Sequence, residues 1–207
     1  GGMAVQKDVA DKWKAATNCP LLEAYGLTEA CPAVCVNPLN LSDYNGAIGL
    51  PLPSTLVEIR DDQNNAVATG EVGELCVKGP QVMQGYWQRD DETQKVMTSD
   101  GWLKTGDLAK MDENGYVYIA SRKKDMILVS GFNVYPNEIE DVVMEMPAIK
   151  EVAAIGVPDE KSGEIVKLFV VTNDDAIGEA EILEHCKANL TGYKVPKQIE
   201  FKDELPK

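Results

Sequence analysis

Three short blocks of this 207-residue sequence collect residue types that handle nucleotides. The first is Tyr25-Gly26-Leu27-Thr28-Glu29, after the apolar pair Leu21-Leu22 and so expected at the end of a short buried strand. A tyrosine ring offers a flat face on which a base stacks, and a glycine lets backbone come close to a ligand. A threonine hydroxyl bonds a phosphate oxygen, and a glutamate holds Mg²⁺. The same residues also read as a glycine turn with Thr28 as a helix cap. The second block, Gly101-Trp102-Leu103-Lys104-Thr105-Gly106-Asp107-Leu108, projects one carboxylate after a glycine. An ionised carboxylate accepts from two adjacent hydroxyls at once, which suits the 2′ and 3′ hydroxyls of a ribose. The alternative is a turn-forming Asp that bonds its own backbone. The third block runs from Ser121-Arg122-Lys123-Lys124-Asp125 to Glu140 and holds the concentrated positive charge of an acidic chain. A guanidinium there could grip ribose or phosphate oxygens, or the stretch is a solvated linker between domains.

The elements that must position these blocks follow from periodicity. Val5, Val9 and Trp13 recur every four residues over 4–16 and predict one face of a helix, ended by Asn18-Cys19-Pro20. From Ile48 to Tyr118 short apolar runs alternate with Pro, Gly and Asn turns, a β-rich pattern. Asn114-Gly115 predicts a hairpin between 108–111 and 116–119, with Asp107 just before its first strand. Beyond Asp125 the order becomes mixed α+β: Pro136 opens a helix faced by Ile139, Val142, Val143 and Met146, and two strands follow at 152–155 and 166–171. Ile182, Leu183, Cys186 and Leu190 mark a second helix, with Cys186 in the core.

Composition narrows the chemistry. Hydrophobic residues make up 44% and charged residues 26%, a soluble globular balance, while a net charge of -14 repels nucleic acid and anionic bilayers. Five cysteines without a Cys-x-x-Cys pair argue against a disulfide framework and a zinc site, and fit a reducing cytoplasm. His185 is the single histidine, so a Ser-His or Cys-His couple has nothing to work with, and it reads as an ordinary helix residue.

In this order and at these separations, the three blocks resemble the ANL superfamily of adenylate-forming enzymes, and the wording of Arg122 to Pro136 is similar to bacterial long-chain fatty-acid CoA ligases. Val36-Asn37-Pro38 points the same way, and Gly73 to Trp87 is similar to the superfamily's structural Gly-Glu-Leu to Gly-Tyr-Trp segment. The resemblance implies ATP or AMP, CoA and Mg²⁺ as ligands, a fatty acid as substrate, and no nucleic acid. It implies Gly1 and Gly2 in the adenine-pocket loop, Tyr25 stacked on adenine beside Gly26, Thr28 on the α-phosphate and Glu29 on Mg²⁺. Asp107 and Arg122 would clasp the ribose, Lys124 would be the hinge, and Gly131 would line the pantetheine channel.

The implied architecture is an α/β remnant (1–37) and a β-rich subdomain (38–121), then a hinge (122–124) and a small α+β lid domain (125–207). The superfamily's triphosphate loop and acyl pocket would precede Gly1, and its adenylation lysine would follow Lys207. The chain is therefore expected to be a fragment that is inert alone. An aryl or medium-chain CoA ligase, a carrier-loading adenylation domain and a non-catalytic CoA- or carrier-binding lid are the alternatives. Peripheral membrane contact and homo-oligomer formation are left open.

Overall fold

Turn chemistry and strand alternation divide the chain into two compact units, Gly1–Ala120 and Ser121–Lys207. The structure, a computed structural model, describes residue 5, residues 7–173 and residues 177–206. In the first unit, helix α1 (Lys7–Thr17) stops where Asn18 turns left-handed at φ 55° and donates its N–H to the carbonyl of Lys14 at 2.8 Å. Asn tolerates that capping conformation. The expected apolar face is not the one that packs, because Ala10 is buried while Val9 and Trp13 are each 51% exposed. Periodicity marks a stripe but not the neighbour that covers it.

Strands β1 (Ala24–Gly26), β2 (Ala33–Val36) and β3 (Leu50–Pro51) form an antiparallel sheet in that order. The short strand expected at the first block carries Tyr25 itself, paired with Cys35, but it begins after Leu21-Leu22 and is not buried throughout, since Ala24 and Gly26 are exposed. Strands β4 (Leu56–Arg60), β5 (Gly73–Lys78), β6 (Leu103–Met111) and β7 (Val117–Arg122) make a second sheet in sequence order. The carboxylate of Asp112 accepts the N–H groups of Asn114 and Tyr116, both at 2.9 Å, and closes the predicted hairpin between β6 and β7. Helix α2 (Asp90–Val96) buries none of its residues, so it has no apolar stripe by which the sequence could announce it.

β5 is buried from Gly73 to Val77. Leu75 and Val77 join Val34, Ile59 and Val117 in the core, each such side chain stabilising the fold by about 1.5–3 kcal/mol. Arg60 is only 6% exposed, and its guanidinium lies 4.6 Å from the Trp102 ring centroid while bonding Glu58 and Asp100.

The second unit opens with β8 (Ile127–Val129) and β9 (Phe132–Val134), then α3 (Pro136–Met144), β10 (Ile149–Asp159), β11 (Gly163–Thr172), α4 (Glu179–Asn189) and β12 (Gln198–Phe201). Its sheet runs β10-β11-β8-β9, with β12 parallel to β11. Val166, Leu168 and Val170 alternate into a core with Ile139 and Val143 of α3 and Ile182 and Cys186 of α4. Lys167, between the inward residues, pairs with Glu200 at 2.7 Å. His185 Nε2 lies 2.9 Å from the carbonyl of Val142, an ordinary contact between α4 and α3. The β-rich first unit and α+β second unit are the fold class expected from the sequence. No helix among the described residues is long and apolar enough to cross a membrane.

Candidate active site

A bulge in β6 sets the position of Asp107. Glu74 pairs with Leu108 and Cys76 with Lys104, so residues 105–107 together stand opposite Leu75 alone. Two extra residues on one strand bend it and re-aim its side chains. Thr105 donates its hydroxyl to the Leu75 carbonyl at 2.8 Å and accepts the N–H of Asp107 at 3.1 Å. Gly106 adopts φ +78° and donates its N–H to Glu74 Oε1 at 3.2 Å. Asp107 therefore lies inside β6 and not in a turn ahead of it, a correction to the sequence reading. The two-residue excess is invisible without its partner strand.

Tyr25 on β1 donates its phenolic O–H to Asp107 Oδ2 at 2.5 Å. Burial first, and then this carboxylate, push the phenol far above its ordinary range, so Tyr25 stays protonated and acts as the donor. Behind it, burial pushes the Cys35 thiol up to about 12 and leaves it an inert core group. Gly26 follows at a point where a Cβ would stand 2.0 Å from the carbonyl oxygen of Pro32. Its missing side chain admits the chain's own backbone, which bonds there through Leu27 N–H to Pro32 O at 2.8 Å.

Thr28 is the first residue of a short 3-10 helix, Thr28–Ala30, and Leu27 holds the capping position without a side-chain bond. Thr28 is thus not the cap considered above; it is exposed. Glu29 is half-buried and accepts the phenolic O–H of Tyr86 at Oε1, 2.7 Å away, while its carbonyl accepts the N–H of Met83 at 2.7 Å. Sequence reasoning gave the Gly85-Tyr86-Trp87 stretch only a structural part, since nothing in its spacing points to a carboxylate 57 positions away.

Glu23 was also missed. It is 9% exposed, Oε1 accepts the N–H of Val5 at 3.1 Å, and burial raises its carboxyl above the ordinary range. The carbonyl of Val5 accepts the O–H of Tyr44 at 2.6 Å, so the backbone here is gripped on both sides. Gly1 and Gly2 lie outside the described residues.

The other singled-out residues belong to the second unit. Arg122 ends β7 and is exposed; Lys124 is exposed in the 3-10 turn Lys123–Asp125. Gly131 is exposed in the β8–β9 turn at φ +84°. The structure brings Tyr25 and Asp107 together, with Thr28 and Glu29 in the same segment as Tyr25. Among the described residues no group of three or more His, Cys, Asp or Glu side chains converges as a metal cage. A lone half-buried carboxylate at Glu29 suits a cation such as Mg²⁺, which keeps water and phosphate oxygens and takes one or two carboxylates.

Two family profiles match the chain: AMP-binding enzyme over residues 1–87, and AMP-binding enzyme C-terminal domain over residues 138–207. The chain belongs to the ANL superfamily of AMP-binding enzymes. Over all 207 residues it is 60% identical to the long-chain-fatty-acid--CoA ligase of Salmonella typhimurium strain LT2, covering 37% of that protein. The chain thus spans just over a third of the length of this ANL relative. Among solved structures, ATP-bound MatB from Rhodopseudomonas palustris is 39% identical with a TM-score of 0.93, over 97% of this chain and 40% of that one. The o-succinylbenzoate CoA synthetase of Bacillus subtilis, in complex with its acyl-adenylate intermediate, is 32% identical with a TM-score of 0.89, over 100% of this chain and 42% of that one.

Proposed function

We propose that this chain supplies the ribose site, part of the adenine and phosphate site, and the lid of an ATP-dependent long-chain fatty-acid CoA ligase. The observation that carries this reading is the hydrogen bond from Tyr25 to Asp107, which sets an aromatic face beside a carboxylate suited to vicinal hydroxyls. In the first half-reaction the fatty carboxylate attacks the α-phosphorus of ATP and pyrophosphate leaves. In the second the CoA thiol attacks the acyl-adenylate and AMP leaves.

Tyr25, beside Gly26 on β1, stacks on adenine. Asp107 takes the ribose hydroxyls and Thr28 donates to the α-phosphate, while Arg122 of the second unit carries a guanidinium suited to ribose or phosphate oxygens. Glu29 holds Mg²⁺, which when bound neutralises phosphate charge. Lys124 is the hinge about which the lid changes position between the half-reactions, and Gly131 leaves room for pantetheine. These residues orient substrates and stabilise developing charge more than they transfer protons. The chain-length class rests on the 60% identity to a long-chain ligase, against 32% to a synthetase for an aromatic acid. Five free thiols support a cytoplasmic setting.

The test is pyrophosphate exchange by the full-length protein, driven by acids of graded chain length and by aryl acids. Exchange with long-chain acids is expected. Exchange with aryl acids alone would move the protein to another ligase class, and exchange with none would remove the adenylation reading.

A further inference from the structure

The segment 83–86 grips Glu29 at two points. Met83 N–H donates to its main-chain carbonyl and the Tyr86 phenol donates to Oε1, both at 2.7 Å. Tyr86 is itself pinned at both backbone groups: its N–H donates to Thr93 Oγ1 at 2.9 Å, and its carbonyl accepts from Arg89 N–H at 3.2 Å. The Thr93 hydroxyl in turn bonds the Arg89 carbonyl at 3.0 Å, which ties the arrangement to α2. A half-buried carboxylate with no partner rotates freely about its terminal bond, whereas one oxygen held by a fixed donor leaves the other in a defined direction. Among the described residues, Oε2 of Glu29 has no hydrogen-bond partner.

We propose that Tyr86 is a positioning residue that fixes which oxygen Glu29 presents to the divalent cation accompanying ATP. This rests on the reading of Glu29 as a ligand of that cation. The group the ring touches is the ligand and not the ion, so removing its hydroxyl disturbs orientation without removing a ligand. Such outer partners typically change metal affinity by tenfold or more.

The experiment uses the full-length protein with Mn²⁺ and a non-hydrolysable ATP analogue, free Mn²⁺ being read by electron paramagnetic resonance. Tyr86→Phe removes one hydroxyl from a half-exposed ring and keeps the ring's packing. It is expected to weaken Mn²⁺ in the ternary complex about tenfold, with metal-free AMP binding and the denaturation midpoint unchanged. A Tyr86→Phe isotherm superimposed on the wild type, while Glu29→Gln weakens Mn²⁺, overturns the positioning role and leaves the ligand reading standing. If Glu29→Gln also leaves the isotherm unmoved, the ligand reading falls and the proposal falls with it. Loss of AMP affinity or of stability in Tyr86→Phe equal to the loss for Mn²⁺ overturns it as well, since that is what a purely structural contact gives.

Discussion

Tyr25 and Asp107 are 82 positions apart, yet the phenol of one donates to the carboxylate of the other at 2.5 Å. The bond joins two separate sheets, β1 of the first and the bulged β6 of the second, so the pair reports on how both are built.

Nucleotide affinity should follow this pair unequally. Asp107→Asn removes a charge-assisted acceptor and is expected to cost about 1.5–3 kcal/mol of AMP binding in the full-length protein, whereas Tyr25→Phe, which keeps the ring, costs about 0.5–1.5 kcal/mol. Calorimetric titration with AMP measures both, and wild-type affinity in Asp107→Asn contradicts the ribose assignment.

Gly26→Ala should destabilise the first unit directly. The added methyl would stand 2.0 Å from the Pro32 carbonyl oxygen, backbone that cannot swing away as a side chain would. A loss of about 1–3 kcal/mol is expected from denaturant unfolding, the usual cost of overpacking. An unchanged midpoint would mean that the turn after β1 relaxes freely.

Acid should act through Asp100. Hydrogen bonds from Arg60 and then Thr98 hold its carboxyl at about 2, below its ordinary 3.8. Because the folded value is the lower one, the ion pair stabilises above about pH 4 and the contribution fades as pH falls toward 2. Asp100→Asn should flatten that part of the stability profile. A variant with the wild-type acid slope would assign the slope to other groups.

Glu140 should act in the opposite sense. Burial raises its carboxyl above the ordinary value, and it accepts the Ala154 N–H at 2.8 Å. The folded state then binds the proton more tightly than the unfolded one, so ionisation at neutral pH costs stability that returns as pH falls through the raised value. Glu140→Gln keeps an acceptor for Ala154 and should remove this pH dependence from the unfolding of the second unit. Persistence of the full slope in the variant rules Glu140 out as its source.

What could be read beforehand, and what could not, divides along physical lines. The helix at Pro136 was legible because proline, an apolar stripe and a terminal proline agree with one another, and Ile139 and Val143 are fully buried. Asp107 was legible as a chemical type, but its position in a bulge depends on the register against Leu75, which belongs to another strand. The link from Tyr86 to Glu29 joins a loop to a 3-10 turn, and neither has a period from which a pairing could be inferred. α2 was lost because all of its residues face water to some degree. Val9 and Trp13 misled for the converse reason: an apolar stripe was present, but Ala10 is the residue that packs.

The parallel pairing of β12 with β11 has a consequence for synthesis. β10 and β11 can zip together as a hairpin as soon as both have left the ribosome, but residues 167–170 of β11 gain their second neighbour only after α4 and residues 198–201 have followed. Until then that edge offers unpaired N–H and C=O groups to any nascent chain nearby, and this slow, non-local closure is the interval in which the second unit is most open to mispairing.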